Sequence, residues 1–141
     1  MEIIPFDKEK LKDFTYDGIE SKVSGEMSGE MIVDIAQFYS SLGRGYIGLI
    51  DGEVIGIGGV HPLWKDWGSA WLFLNKEAKN HVNGVFKGML AKMNELIKLY
   101  NIEILSVQCL DNSLEANKLL NHLGFVKSRE FKMALYGRKV I

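Results

Sequence analysis

Residues 69–100, SAWLFLNKEAKNHVNGVFKGMLAKMNELIKLY, decide how this chain is read. SAWLFL has the length, aromatic content and apolar run of a strand. Val82, Val85, Phe86, Met89, Leu90, Met93, Leu96, Ile97 and Tyr100 then recur at three- and four-residue spacing and form one apolar stripe. Lys87, Lys92, Asn94, Glu95 and Lys98 fall on the other side, so the segment is an amphipathic helix. Between strand and helix lies a short polar loop, Lys79-Asn80-His81-Val82-Asn83-Gly84. Such a loop is a common place to hold phosphate, because a helix N-terminus presents unpaired N–H groups and about half a positive charge. Phosphate loops usually carry several glycines, and this one has only Gly84. Val82 is β-branched and disfavours positive φ, so a loop needing that conformation there would be strained.

Downstream, IEILSVQCL reads as a strand and DNSLEANKLLNHLGF as a short helix. Asn112 with Glu115 resembles a capping box, and Gly124 supplies a C-terminal stop. FVKSREFKMALYG reads as two final strand segments around residues 128–130. Upstream, GYIGLIDGEVIGIGGV is a hairpin whose apolar arms flank Asp51-Gly52, both tolerant of positive φ. Gly56, Gly58 and Gly59 suit a bulge or the close approach of another group. HPLWKDWGS reads as a loop. Met31, Ile32, Ile35, Phe38, Tyr39 and Leu42 predict a second amphipathic helix, capped by Ser28 and ended by Gly43 in the left-handed conformation. MEIIPF is a short first strand, and a short helix is expected over residues 8–14 before an irregular polar stretch. The order β, α, α, β, β, β, α, β, α, β, β implies a mixed sheet with helices on its faces, in one domain spanning residues 1–141.

The chain of 141 residues is long enough to bury a core, and its 47% hydrophobic and 25% charged composition is globular. A net charge of −1 gives no electrostatic case for nucleic acid. The single cysteine, Cys109, leaves no disulfide framework and no cysteine-based zinc site. The opening MEIIPFDKEKLKDF turns charged within seven residues, so neither a signal peptide nor a membrane span is expected there. The expected location is a reducing compartment, the cytoplasm.

The strand-loop-helix at WLFLNKEAKNHVNG and the ending SLEANKLLNHLGF resemble the GNAT superfamily of acetyl-CoA-dependent N-acyltransferases, over roughly residues 46–136. The pairing of IGG with a late LLNHLGFV is further similar to a group of GNAT-like internal virion proteins (type A) of short-tailed phages; for a phage chain the location would be the host cytoplasm or the virion. The resemblance implies an α/β fold with six to seven strands, a splayed parallel pair and about four helices. Acetyl-CoA would enter between the strands SAWLFL and IEILSVQC. The main chain of Phe73 and Leu74 would pair with its pantetheine arm. Its pyrophosphate would lie on Lys79, Asn80, His81, Val82, Asn83, Gly84 and Val85. In the family pattern Arg/Gln-x-x-Gly-x-Gly/Ala, Lys79 keeps the basic entry and Gly84 the last small position, while Val82 replaces the first glycine. In the later pattern, Asn-x-x-Ala-x-x-Leu-Tyr then Gly-Phe, this chain has Ala116, Leu119, Gly124 and Phe125. Ser113 stands for Asn, and Ser113 and Asn117 are carried over as further cofactor contacts. Leu120 stands where many members have the Tyr that protonates the leaving thiolate, and leucine cannot donate a proton.

His61 ends the hairpin's second strand and is either the base that deprotonates an amine or a strand-end histidine beside Pro62. Cys109 is a nucleophile or a small buried residue; direct transfer needs no covalent intermediate. His81 and His122 show no metal-site spacing. Trp64, Trp67 and Trp71 surround a loop and either wall an acceptor pocket or pack as core. Glu20 is an acceptor contact or a solvated carboxylate, and Tyr136 is a replacement acid if its strand returns to the cleft. Two functions follow. One is an N-acetyltransferase acting on an unidentified primary amine by direct attack, with no membrane or nucleic-acid partner and with a homodimer allowed. The other is a catalytically degenerate GNAT-like binding or assembly protein.

Overall fold

The computed structural model describes residues 1–12, 14, 16, 29–110, 114–129 and 133–139, with the backbone alone for 29, 108–110, 114–116, 127–129 and 133–139. Among the described residues seven strands form one sheet: β1 (Glu2–Pro5), β2 (Arg44–Ile50), β3 (Glu53–Trp64), β4 (Trp67–Leu74), β5 (Ile104–Leu110), β6 (Val126–Arg129) and β7 (Met133–Lys139). Their spatial order is β1-β2-β3-β4-β5-β7-β6. All neighbours are antiparallel except β4 and β5, which run parallel.

Three α-helices lie among the described residues: α1 (Gly29–Leu42), α2 (Val82–Leu99) and α3 (Leu114–His122). The fourth helix expected over residues 8–14 is a single 3-10 turn, Lys8–Leu11, capped by the Asp7 side chain accepting from the Glu9 N–H at 3.0 Å. Leu11 is its one buried side chain, too little apolar surface to hold a longer helix down. Ser28, Asn112 and the capping box with Glu115 fall outside what is described.

Alternation along the strands sends side chains to two layers. On one face Ile32, Val33 and Ala36 of α1 pack against Ile47, Ile57 and Trp71. On the other, Met93, Leu96 and Ile97 of α2 join Leu120, Leu123 and Phe125 over Val60 and Leu105. Full burial of a single Ile or Leu of this kind stabilises the fold by roughly 1.5–3 kcal/mol.

Asp51 and Gly52 adopt φ of 50° and 80°, the geometry of a tight hairpin turn. Gly124 ends α3 at φ 90°, as expected. Gly43 does not take the left-handed conformation expected of it: positive φ among the described glycines is confined to Gly52 and Gly124. The chain instead passes straight from α1 into β2, so close to β3 that a Cβ at Gly43 would meet the Val60 carbonyl and His61. The segment HPLWKDWGS is also not a loop. β3 continues to Trp64, turns at Lys65 and Asp66, and returns as β4 with Trp64 opposite Trp67. Pro62 is tolerated because β2 pairs with β3 only as far as Val60, which leaves that side of the strand without a partner needing its N–H.

Candidate active site

The parallel pair β4 and β5 is joined at Trp67↔Ile104, Gly68↔Leu105 and Ser69↔Ser106, and no further pair follows. From Ala70 and Val107 onward the two strands separate into a V. At its closed end the Trp67 indole N–H donates to Ser106 Oγ at 3.0 Å, and that hydroxyl donates to the Gly68 carbonyl at 3.3 Å.

Successive residues of a strand turn their N–H and C=O to opposite sides. Asn75 N–H donates to the Ile55 carbonyl on β3, while the Gly68 carbonyl is turned to β5. The main chain of Ala70, Leu72 and Leu74 therefore faces the gap, and that of Trp71 and Phe73 faces β3. Of the two residues expected to pair with a pantetheine arm, Leu74 has its main chain on the gap and Phe73 does not. Leu72, one position earlier, was missed; strand alternation counted from the Asn75 bond finds it.

The segment after β4 is a 3-10 turn, Lys76–His81, running directly into α2. Asn75 anchors its start through the Val54 carbonyl at 3.3 Å, and Ala78 is buried beneath it. Glu77 organises its polar side, accepting from Asn80 Nδ2 at 3.2 Å and lying 3.4 Å from His81 Nε2. Lys79, Asn80, His81, Val82, Asn83 and Gly84 line one open concavity together with Met1 and Ile50. Val85, the next residue, is instead buried beneath α2.

α2 starts with no side-chain cap on its free N–H groups and no acidic residue in its first turn. Its positive end is thus left to an external anion, with the Glu77 carboxylate as the nearby opposing charge. Val82 has φ −52° and ψ −47°, ordinary helical values, so the strain expected from a β-branched residue in a left-handed loop does not arise. Its side chain is exposed, and a Cβ at Gly84 would meet the Met1 nitrogen at 4.0 Å, an ordinary contact.

His61 lies opposite Ser69, level with the closed end of the V, and is buried under α1. Its ring stacks on Tyr39 with centroids 5.4 Å apart and planes 16° from parallel. Tyr39 in turn touches Trp71, and Trp71 touches Phe73, so an aromatic row lines the α1 side of β4. Within it the Trp71 indole N–H and the Ser40 hydroxyl are buried without a hydrogen-bond partner among the described residues. The three tryptophans do not gather: Trp71 is core, whereas Trp64 and Trp67 are exposed at the β3–β4 turn. His122 sits on the surface of α3, edge-on to Phe86.

Leu120 is buried in the α2–α3 core. Tyr136 pairs with Val107, the first β5 residue past the last β4–β5 pair. Cys109 stands opposite Ala134 in the same ladder. Asn117 is half-buried on α3, and Ser113 and Glu20 lie outside the described residues. No group of His, Cys, Asp and Glu able to hold a metal occurs among the described residues, and no helix there is long and apolar enough to cross a membrane.

No family model matches the chain, and no curated protein sequence matches it either. Solved structures do. Ard1 from Thermoplasma volcanium superposes with a TM-score of 0.76 at 14% identity, covering 99% of this chain and 97% of that one. A GNAT-family acetyltransferase from Staphylococcus aureus gives 0.75 at 18% identity, covering 99% of each. The Salmonella typhimurium protein yncA, solved with its cofactor acetyl-CoA, gives 0.72 at 10% identity, covering 99% of this chain and 94% of that one. The fold is therefore that of the GNAT acetyltransferases. These structures do not support the narrower likeness to the phage virion group.

Proposed function

We propose that the chain is an acyl-CoA-dependent N-acyltransferase using acetyl-CoA as its simplest donor. The observation that carries the reading is the break after Ser69↔Ser106, which leaves the Leu72 and Leu74 main chain facing a gap that leads to the uncapped start of α2. An extended pantetheine arm supplies the amide groups that those strand edges lack, as an added strand would. The diphosphate then meets the N–H groups of Asn83 and Gly84 at the start of α2, with the 79–84 concavity around it.

An unprotonated amine attacks the thioester carbonyl from the α1 side, past the aromatic row of Tyr39, Trp71 and Phe73. The developing oxyanion is met by a gap-facing main-chain N–H of Leu72 or Leu74. His61, packed flat on Tyr39, serves this site as a wall.

The test is thermal denaturation with coenzyme A and acetyl-CoA, then thiol release across a panel of primary amines. A ligand at 100 times its dissociation constant adds about 2.7 kcal/mol. Absence of any shift at millimolar acetyl-CoA would sink the reading. A second reading, a GNAT-like binding protein without turnover, is favoured by Leu120, which puts a hydrocarbon where the resemblance expects a proton donor. Binding without thiol release across the panel would select it.

A further inference from the structure

A cavity of about 120 Å³ lies between α2 and the sheet, and it opens on the V. Its walls include Ala70 and Leu72 of β4 and Val107 of β5, which flank the separating strands. Gly56 and Gly58 of β3 line it without side chains of their own. A Cβ at either would collide with the side chains of Leu74 and Leu72, which lean across them. Met89 and Met93 of α2 form the opposite wall, two unbranched side chains that re-pack readily around an apolar guest.

The one charged side chain on the lining is Lys92, and its ammonium is already paired. It bridges to Glu95 Oε2 at 3.0 Å and lies 4.6 Å from the centre of the Tyr46 ring. An apolar space of this kind stays dry and accepts hydrocarbon. It also costs stability in proportion to its volume while nothing fills it. Leu120 belongs to the same lining, so the position that lacks a proton donor contributes hydrocarbon to this wall.

We propose that this cavity receives the acyl chain of the donor, and that the preferred donor is a medium-chain acyl-CoA of about six carbons rather than acetyl-CoA. The inference rests on the acyl-transfer reading above and specifies its substrate class. A thioester lying in the V has its carbonyl beside Ala70 and Val107, at the entrance to the cavity. A cavity near 150 Å³ is known to hold a six-carbon ring, so about 120 Å³ suits roughly four methylenes beyond the acetyl carbons.

The reaction is otherwise unchanged. The amine nitrogen bonds to the acyl carbon, the carbon–sulfur bond breaks, the amine proton passes to solvent, and the CoA thiolate takes up a proton from solvent. The products are an N-acyl amine and free CoA.

The experiment is calorimetric titration of the full chain with CoA and with acetyl-, butanoyl-, hexanoyl- and octanoyl-CoA. Each methylene placed in the cavity is expected to tighten binding about fourfold, the equivalent of about 0.8 kcal/mol, up to hexanoyl, with no further gain at octanoyl. Filling the space with Ala70→Leu is expected to bring the hexanoyl-to-acetyl affinity ratio close to one. Enlarging it with Met89→Ala, which serves even if the first variant does not fold, should move the best chain length upward. Affinity that is flat or falls from acetyl to hexanoyl overturns the proposal while leaving the acyl-transfer reading intact. Failure of CoA and every thioester to bind overturns both. A chain-length preference that neither variant alters overturns the assignment to this cavity.

Discussion

Trp67, in the first β4–β5 pair, and Ser106, in the last, are joined across the seam: the indole N–H donates to the serine hydroxyl at 3.0 Å, and that hydroxyl donates on to the Gly68 carbonyl. Ser106 is buried, so its hydroxyl replaces water for both neighbours. Ser106→Ala should lower stability by about 1–2 kcal/mol. In a thermal melt this is a fall of roughly 3–8 °C. Trp67 is partly exposed, and its N–H can return to water. A melt that does not move would mean that the hydroxyl contributes nothing to closing the V.

Gly84 gives a case in which fold and binding move in opposite directions. It lies in the first turn of α2, where an added Cβ would make only an ordinary contact with the Met1 nitrogen at 4.0 Å, so Gly84→Ala should stabilise the free protein by about 0.5–1 kcal/mol. The added methyl group would stand between the backbone and a phosphate approaching the helix start. Affinity for CoA should therefore fall several-fold while the melting temperature of the free protein rises. Unchanged affinity would move the diphosphate away from this turn.

His61 is tested by comparing two replacements. His61→Ala removes a buried ring from beneath Tyr39 and should cost about 2–4 kcal/mol. His61→Phe preserves an aromatic stack and should keep kcat and its pH profile near those of the parent. A folded His61→Phe protein with turnover abolished would instead identify the imidazole as the base.

Leu120→Tyr restores a phenol where the resemblance expects one. A positioned general acid is worth about 10²–10⁴-fold, so kcat with acetyl-CoA should rise at least tenfold, with little change in KM. The larger ring must fit a buried site and should reduce stability by about 1–3 kcal/mol. A stable Leu120→Tyr protein with unaltered kcat would show that thiolate protonation is not the limiting step.

The strand-loop-helix from Ser69 to Tyr100 was legible because a short apolar run gives way there to a helical period, and the Asp51-Gly52 hairpin because its turn demands positive φ. The return of the chain at Lys65 and Asp66 was hidden by proline and charge in HPLWKDWGS, which resemble a loop. Only the missing β2 partner beyond Val60 explains why Pro62 fits a strand. Gly43 was read for its backbone freedom, whereas the structure uses its lack of a side chain. Val82 looked like a defect in a glycine loop and is an ordinary first residue of a helix. At the site, the resemblance could point to Phe73 and Leu74 but not to which of them turns its main chain toward the gap. That follows from strand phase, fixed by one hydrogen bond from Asn75. The cavity could not be read at all, since it depends on how α2 sits over the face of the sheet that carries Gly56 and Gly58.

The break between β4 and β5 also has a mechanical side. Three residue pairs form the seam between a four-strand half, β1 to β4, and a three-strand half made of β5, β7 and β6. A cofactor lying along that seam supplies the missing rungs and ties the halves together, so it acts as a strut as well as a reactant. In the free protein the amide protons of Leu72 and Leu74 are the ones this seam leaves open to exchange with solvent.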